Sequence, residues 1–188
     1  MSNSREFLQF VGHGDNDCIT FNQIYTYNKK RKKLNCINSF NTNASYQNEI
    51  VAADKNYVTI HNSDQPAEVG WISWNIPYKY SKGKLVAATT STTTVKSLIA
   101  NNKKDKYSKY FAKNQFVTAK KLTFYNGSKV AYTVPKGKVV TLTKLSLSKD
   151  VIYLQFKYGK KTGWAHVNGT KYNFSKPWFQ GVNARLAG

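Results

Sequence analysis

Three short strand-like landmarks occur twice in this chain, in the same order, and they constrain the fold more than any other feature. The first set reads Ile24-Tyr25-Thr26-Tyr27-Asn28, then Asn56-Tyr57-Val58-Thr59-Ile60, then Val69-Gly70-Trp71-Ile72-Ser73-Trp74, closing near Tyr78-Lys79-Tyr80. The second reads Leu122-Thr123-Phe124-Tyr125-Asn126, then Ile152-Tyr153-Leu154-Gln155-Phe156, then Thr162-Gly163-Trp164-Ala165-His166-Val167, closing at Lys171-Tyr172. Matched positions lie 98 residues apart at Tyr27 and Tyr125, 96 at Tyr57 and Tyr153, and 93 at Trp71 and Trp164. Self-similarity at a nearly fixed spacing is the mark of a repeated structural unit, and loop-length differences account for the drift.

Each set is built for strands. Val139-Val140-Thr141-Leu142-Thr143 and Val151–Phe156 mix β-branched and small polar residues as a sheet with one buried face requires. Turn chemistry separates these runs: Asn126-Gly127, Pro135-Lys136-Gly137, and Tyr158-Gly159-Lys160-Lys161. Thirteen Tyr and ten Phe reinforce the strand bias. The expected fold is all-β, two tandem small barrel-like units joined by a basic linker. The first unit is placed at residues 1–80, a Thr- and Lys-rich connector at 81–115, and the second unit at 116–188. The connector is expected to be a flexible linker, with one short helix around Val95–Asn101 as the alternative, and Pro177-Trp178-Phe179 is expected to fold back on the second unit.

Charge is placed as unevenly as the strands are regular. Met1–Glu68 carries seven basic and seven acidic residues, whereas Val69–Gly188 holds twenty-two Lys/Arg against Asp105 and Asp150, so the whole +20 lies in the later part. A field that one-sided speaks to partners: nucleic acid, anionic lipid, or a phosphate-rich wall polymer. The bases are twenty-six Lys against Arg5, Arg31 and Arg185. Lysine acts as a flexible point charge, while arginine is the residue of bidentate base-edge reading. The pattern therefore suits a charged polymer better than sequence readout.

Other classes find little material. No apolar run approaches the ~20 residues of a membrane helix. Met1–Glu6 has no basic stretch followed by an apolar core, so no signal peptide is expected there; a secreted protein would correspond to a mature fragment. Cys18 and Cys36 enclose seventeen residues. A bridge would stabilise by about 3 kcal/mol in the chain-entropy model, and two separate thiols fit equally. Nine carboxylates and three His leave few catalytic constellations. His13-Gly14-Asp15-Asn16-Asp17-Cys18 offers a metal or Cys/His arrangement only in outline, and a polar loop explains it better. No catalytic residue, metal or cofactor is expected. Lys29-Lys30-Arg31-Lys32-Lys33 reads equally as a basic patch and as a solvated hairpin turn.

The residues Phe124-Tyr125-Asn126, Lys136-Gly137-Lys138-Val139-Val140-Thr141 and Gly159-Lys160-Lys161-Thr162-Gly163-Trp164 resemble bacterial Src-homology-3-like and GW cell-wall modules. Tyr125–Lys129 followed by Val134–Val140 is also similar to the paired wall-anchoring repeats of lactobacillus S-layer proteins. The likeness covers Phe116–Tyr172, and Ile19–Tyr80 more loosely. It implies tandem extracellular modules of a Gram-positive cell surface, attached non-covalently to teichoic acid, lipoteichoic acid or peptidoglycan.

Within that expectation, lysines on turns beside aromatic strand ends are the candidate phosphate contacts: Lys129, Lys136, Lys138, Lys157, Lys160 and Lys161. Tyr125, Tyr158 and Trp164 are the candidate sugar-stacking rings, although Trp164 also reads as a residue closing the barrel. The competing reading is a nucleic-acid-binding protein with a basic, aromatic-lined barrel surface.

Overall fold

The computed structural model describes residues 6–15, 19–40, 47–54, 57–100, 104–148, 151–167 and 177–182. Among these the protein is all-β, with fifteen strands and a single four-residue helical turn. It divides into two compact units, Met1–Ser63 with Asn75–Thr89, and Asp64–Trp74 with Thr90–Gly188.

In the first unit, β1 (Phe7–His13), β2 (Ile19–Asn28) and β3 (Lys33–Ser39) form an antiparallel sheet in that order. The basic run Lys29–Lys32 is the turn of the β2–β3 hairpin; Asn28 Oδ1 caps it by accepting from Arg31 N at 3.1 Å. A meander follows: β4 (Gln47–Ala53), β5 (Tyr57–Asp64), β6 (Ile72–Ser81) and β7 (Lys84–Ala87), of which Asp64 in β5 and Ile72–Trp74 in β6 belong to the second unit. Alternation decides which side chains are buried. Ile24, Ile37, Val58, Ile60 and Leu85 form the core, with Phe7, Phe40, Ile50, Tyr78 and Tyr80 packed around them.

A polar seam joins β1 and β2 to β4. The Gln9 amide nitrogen donates to Asn22 Oδ1 at 2.8 Å and to the Asn48 carbonyl, while Gln9 Oε1 accepts from Ile50 N at 2.8 Å. Asn22 Nδ2 donates to the same Asn48 carbonyl at 2.9 Å. A side-chain amide here supplies the donor and acceptor that a neighbouring strand would have offered, so β4 keeps its backbone groups satisfied.

The second unit is one larger sheet. Its strands are β10 (Gln115–Val117), β11 (Leu122–Asn126), β12 (Lys129–Val134), β13 (Val139–Ser148), β14 (Val151–Tyr158) and β15 (Lys161–Val167), ordered β10-β13-β14-β15-β11-β12. Strands β12 and β13 stand four places apart in that order, roughly 19 Å in a flat sheet. Pro135–Lys138 nevertheless joins them through a turn, with Gly137 at φ 80°. The sheet must therefore curl into a partly closed barrel. Phe116, Phe124, Phe156 and Phe179 fill the inside, with Phe116–Phe179 at 4.9 Å and Phe124–Phe156 at 5.4 Å between ring centroids. As expected, Pro177–Phe179 folds back on this unit. Ala119 N donates to Trp178 O, and Gln180 N to Val117 O, both at 2.8 Å.

The stretch 81–115 differs from a flexible connector with a helix near Val95–Asn101. Besides β7 it contains β8 (Ser91–Thr92), paired with β13, and β9 (Lys96–Ser97), paired with the start of β6. Val95 is buried, and its carbonyl accepts from Asn114 Nδ2 at 2.9 Å. The helical turn α1 lies later, at Ser108–Phe111, where buried Phe111 anchors it against Phe116 at 5.4 Å. β-branched residues gain more from sheet edges than from a helix, which accounts for the difference. Asn101 lies outside the described residues.

Candidate functional site

Strand register brings two of the three lysine-bearing turns, together with the start of β13, to one end of the second sheet. Thr141 at the start of β13 pairs with Lys157 near the end of β14, and Tyr158 pairs with Lys161 at the start of β15. Trp164 of β15 pairs antiparallel with Tyr125 near the end of β11. The β11–β12 and β14–β15 turns thus share an end with the start of β13, while β12, antiparallel to β11, carries the chain away from that end before Pro135–Lys138 turns into β13. Lys129, Lys136, Lys138, Lys157, Lys160 and Lys161 are all exposed. Gly127, Gly137 and Gly159 have φ of 60°, 80° and 58°, the left-handed backbone these tight turns need.

The aromatic candidates fall into two groups. Tyr125, 42% exposed, neighbours half-buried Trp164 on the outer face of the sheet. Tyr158 points the other way and stacks on Tyr132, with centroids 6.4 Å apart and planes 23° from parallel. Tyr132 in turn stacks on core Phe124 at 5.0 Å and 26°. These three rings make a ladder from the core to the surface. Where it emerges, Tyr132, Thr133, Tyr158, Gly159, Lys160 and Lys161 line an open groove of about 570 Å³.

Tyr132 and Thr133 were not among the sequence candidates. Gly163 was the available signal, since a glycine inside a strand often marks a close approach. A Cβ there would lie 2.9 Å from Phe124 Cβ and 3.0 Å from Tyr132 Cε1. The Tyr132 hydroxyl donates to the Phe156 carbonyl at 2.6 Å, and burial pushes its pKa up to about 12. That hydroxyl is engaged internally, so Tyr132 offers the groove its ring.

Chemically, the end combines ring faces with ammonium groups. Of the acidic residues in this unit, Asp64 is buried and accepts from Gln65 N at 2.7 Å, and Asp105 accepts from Tyr107 N at 2.9 Å. Neither acid belongs to the three turns. By structural unit, nineteen basic and four acidic residues fall in the second and ten and five in the first.

The remaining candidates are dispersed. His13 and Asp15 are exposed, and Cys18 lies outside the described residues. Cys36 is an exposed free thiol whose sulfur donates to the Asn38 carbonyl at 3.4 Å. His61 Nδ1 is 2.7 Å from Asn75 Oδ1, and His166 lies 6.1 Å from Tyr153 between ring centroids. Among the described residues no three His, Cys, Asp or Glu side chains come together, and no helix is long and apolar enough to cross a membrane. The two Gly-Trp pairs occupy different settings: Gly70 sits in a turn at φ 72° before β6, and Gly163 lies within β15.

Compared with protein-family models, curated proteins and solved structures, the chain matches none.

Proposed function

We propose that this chain is a non-catalytic binding module that attaches a protein to the Gram-positive cell wall outside the cell, through an anionic polymer such as teichoic or lipoteichoic acid. The observation that carries the reading is the Tyr132–Tyr158 groove, lined by the exposed Lys160 and Lys161, in a unit with nineteen basic and four acidic residues. A polymer that alternates sugar or glycerol with phosphate presents an apolar face and an anion at short repeat. Rings take the first and lysines the second. Lysine in place of arginine favours a backbone-following charge contact over base reading.

The reading includes a bacterial Src-homology-3-like character for the second unit, supported by its hairpin followed by a three-strand meander in a curled sheet. A tandem relation with the first unit is supported by the hairpins, since Tyr27-Asn28 and Tyr125-Asn126 each end a strand at a tight turn. The Gly-Trp pairs do not contribute, because their glycines answer different steric demands.

The stacked, lysine-flanked groove also favours a second reading, single-stranded nucleic acid, whose bases stack on rings while cations track the backbone. Both readings require salt-sensitive binding, so salt alone does not separate them. The test is a pull-down on purified walls, before and after teichoic acid extraction, with DNA as competitor. Loss of retention on extracted walls supports the proposal. Undiminished retention redirects it to peptidoglycan, and complete displacement by DNA at moderate salt replaces it with the nucleic-acid reading.

A further inference from the structure

The outer face of the first sheet carries an unusual density of exposed apolar side chains. Register places Leu8 opposite Tyr25, Phe10 opposite Gln23 and Gly12 opposite Phe21, while Tyr27 pairs with Leu34 and Tyr25 with Cys36. Side chains on alternate residues share a face, so these form one band, apolar except at Gln23, which accepts from the Tyr25 hydroxyl at 2.6 Å. Within it Leu8 is 40% exposed, Phe10 45%, Phe21 47%, Tyr27 41% and Leu34 40%. The band is ordered by its own contacts. Phe10 meets Tyr25 edge-on at 5.5 Å and 87°, and the Phe21 ring lies across Gly12, where a Cβ would come within 2.2 Å of it.

Contiguous apolar surface of this kind marks an interaction site, whereas scattered exposed hydrophobics need no explanation. The partner's chemistry is set by two features. Leu8, Phe10, Phe21 and Leu34 make up most of the exposed band and offer no hydrogen-bonding group, which favours an occupant with apolar surface of its own. The Tyr27–Leu34 end of the band leads directly into Lys29-Lys30-Arg31-Lys32-Lys33, all exposed. The occupant must therefore also present dense negative charge beside its apolar layer. Among the described residues, Glu6 is the acid that flanks that end along β1, and Asp15 lies beyond the opposite end.

We infer that this face docks on an anionic lipid surface, with Phe10, Phe21 and Leu34 entering the headgroup–acyl boundary and the Lys29–Lys33 turn meeting lipid phosphates. Interfacial binding scales with buried apolar area plus electrostatic attraction to anionic lipid, and the sheet supplies both from one side. A second copy of the chain fits less well, because two chains of net charge +20 repel each other. The inference is independent of the wall-polymer reading, which rests on residues of the second unit.

The experiment is flotation of the full chain with vesicles of phosphatidylcholine alone or mixed with phosphatidylglycerol, at low and high salt. Binding to the mixed vesicles is expected, with a fraction that survives high salt. Phe10→Ser with Leu34→Ser should lower that salt-resistant fraction about tenfold, the scale set by two half-exposed apolar side chains. Lys29→Gln with Lys30→Gln should lower low-salt binding several-fold. These positions are exposed, and circular dichroism and thermal melts identical to the parent chain establish that the variants fold. Lys157→Gln, Lys160→Gln and Lys161→Gln together should leave the salt-resistant fraction unchanged, separating this face from the groove. Absence of binding to mixed vesicles overturns the inference, as does equal binding by the Phe10/Leu34 variant. A concentration-dependent dimer abolished by that variant would assign the face to a second copy instead.

Discussion

Gly163 shows how one missing side chain sets the geometry of the proposed groove. Phe124, Ala131 and Tyr132 crowd the place its Cβ would take, at 2.9 to 3.1 Å. Gly163→Ala must displace the Tyr132 ring or the strand carrying it, at a cost of about 1–3 kcal/mol. Urea denaturation should register that loss, and wall binding should fall beyond what unfolding explains. A second residue, Asp64, carries a pH signature. Burial is the main cause raising its pKa above 3.8; the Gln65 N–H opposes this, and Glu68 adds to it. A carboxyl with a raised folded-state pKa contributes most stability when protonated, and that contribution is lost as pH rises through the raised value. Asp64→Asn keeps an acceptor for Gln65 and removes the charge. Its melting temperature should exceed the parent's at neutral pH, with the difference vanishing as pH falls below about 4. An unchanged difference across that range would show that the carboxylate is not the cause. Asp64 did not announce itself in the sequence. Gly163 stood out as half of a Gly-Trp pair, but the rings that crowd it come from β11 and β12, more than thirty positions away.

Elements were legible where local chemistry alone determines them. Asn126-Gly127, Pro135-Lys136-Gly137 and Tyr158-Gly159 state their turns outright, because only glycine adopts the required backbone without strain. The strands between them follow by alternation. β8 and β9 were not legible, since two residues carry no period; each exists because a sheet edge offers hydrogen-bonding groups. β1 was hidden in a different way. Phe7, Gln9 and Val11 face one side, and the central residue of that set is polar. Gln9 is the reason this strand belongs where it does. Gln9→Leu keeps the volume but leaves Ile50 N without its acceptor and removes a donor to Asn22 and Asn48. The expected loss is about 1–3 kcal/mol. Amide exchange at Ile50 should quicken well before global unfolding, while amides of β13 and β14 stay protected. Uniform loss of protection along the chain would mean that the seam is not a local device.

At the scale of the whole molecule the question is which lysines contribute to binding. A net charge of +20 attracts any polyanion from a distance, but screening confines the discriminating part to contacts within about 10 Å. If only net charge mattered, removing any three exposed lysines would weaken wall binding equally. The geometry of the second sheet argues otherwise. Lys157, Lys160 and Lys161 stand at a turn shared with the Tyr158 ring, and the turn bearing Lys129 lies at the same end. A polymer held there meets several ammonium groups with its sugar or glycerol against a ring, so each phosphate contact is made without further ordering of the chain. Lys29, Lys30 and Lys32 stand on the hairpin of the other unit, beside the apolar band rather than a ring-lined groove. Changing Lys157, Lys160 and Lys161 to Gln should therefore weaken retention on purified walls by about tenfold, from exposed pairs at up to ~1 kcal/mol each. The same change at Lys29, Lys30 and Lys32 should weaken it less than about threefold, through the long-range field alone. Folding stability of both variants should stay within about 0.5 kcal/mol of the parent, as for most surface substitutions. The salt dependence of wall binding should also become shallower in the first variant only, because contact lysines set that slope. Equal losses and equal slopes from the two triple variants would place binding in the overall charge and remove the groove from the argument.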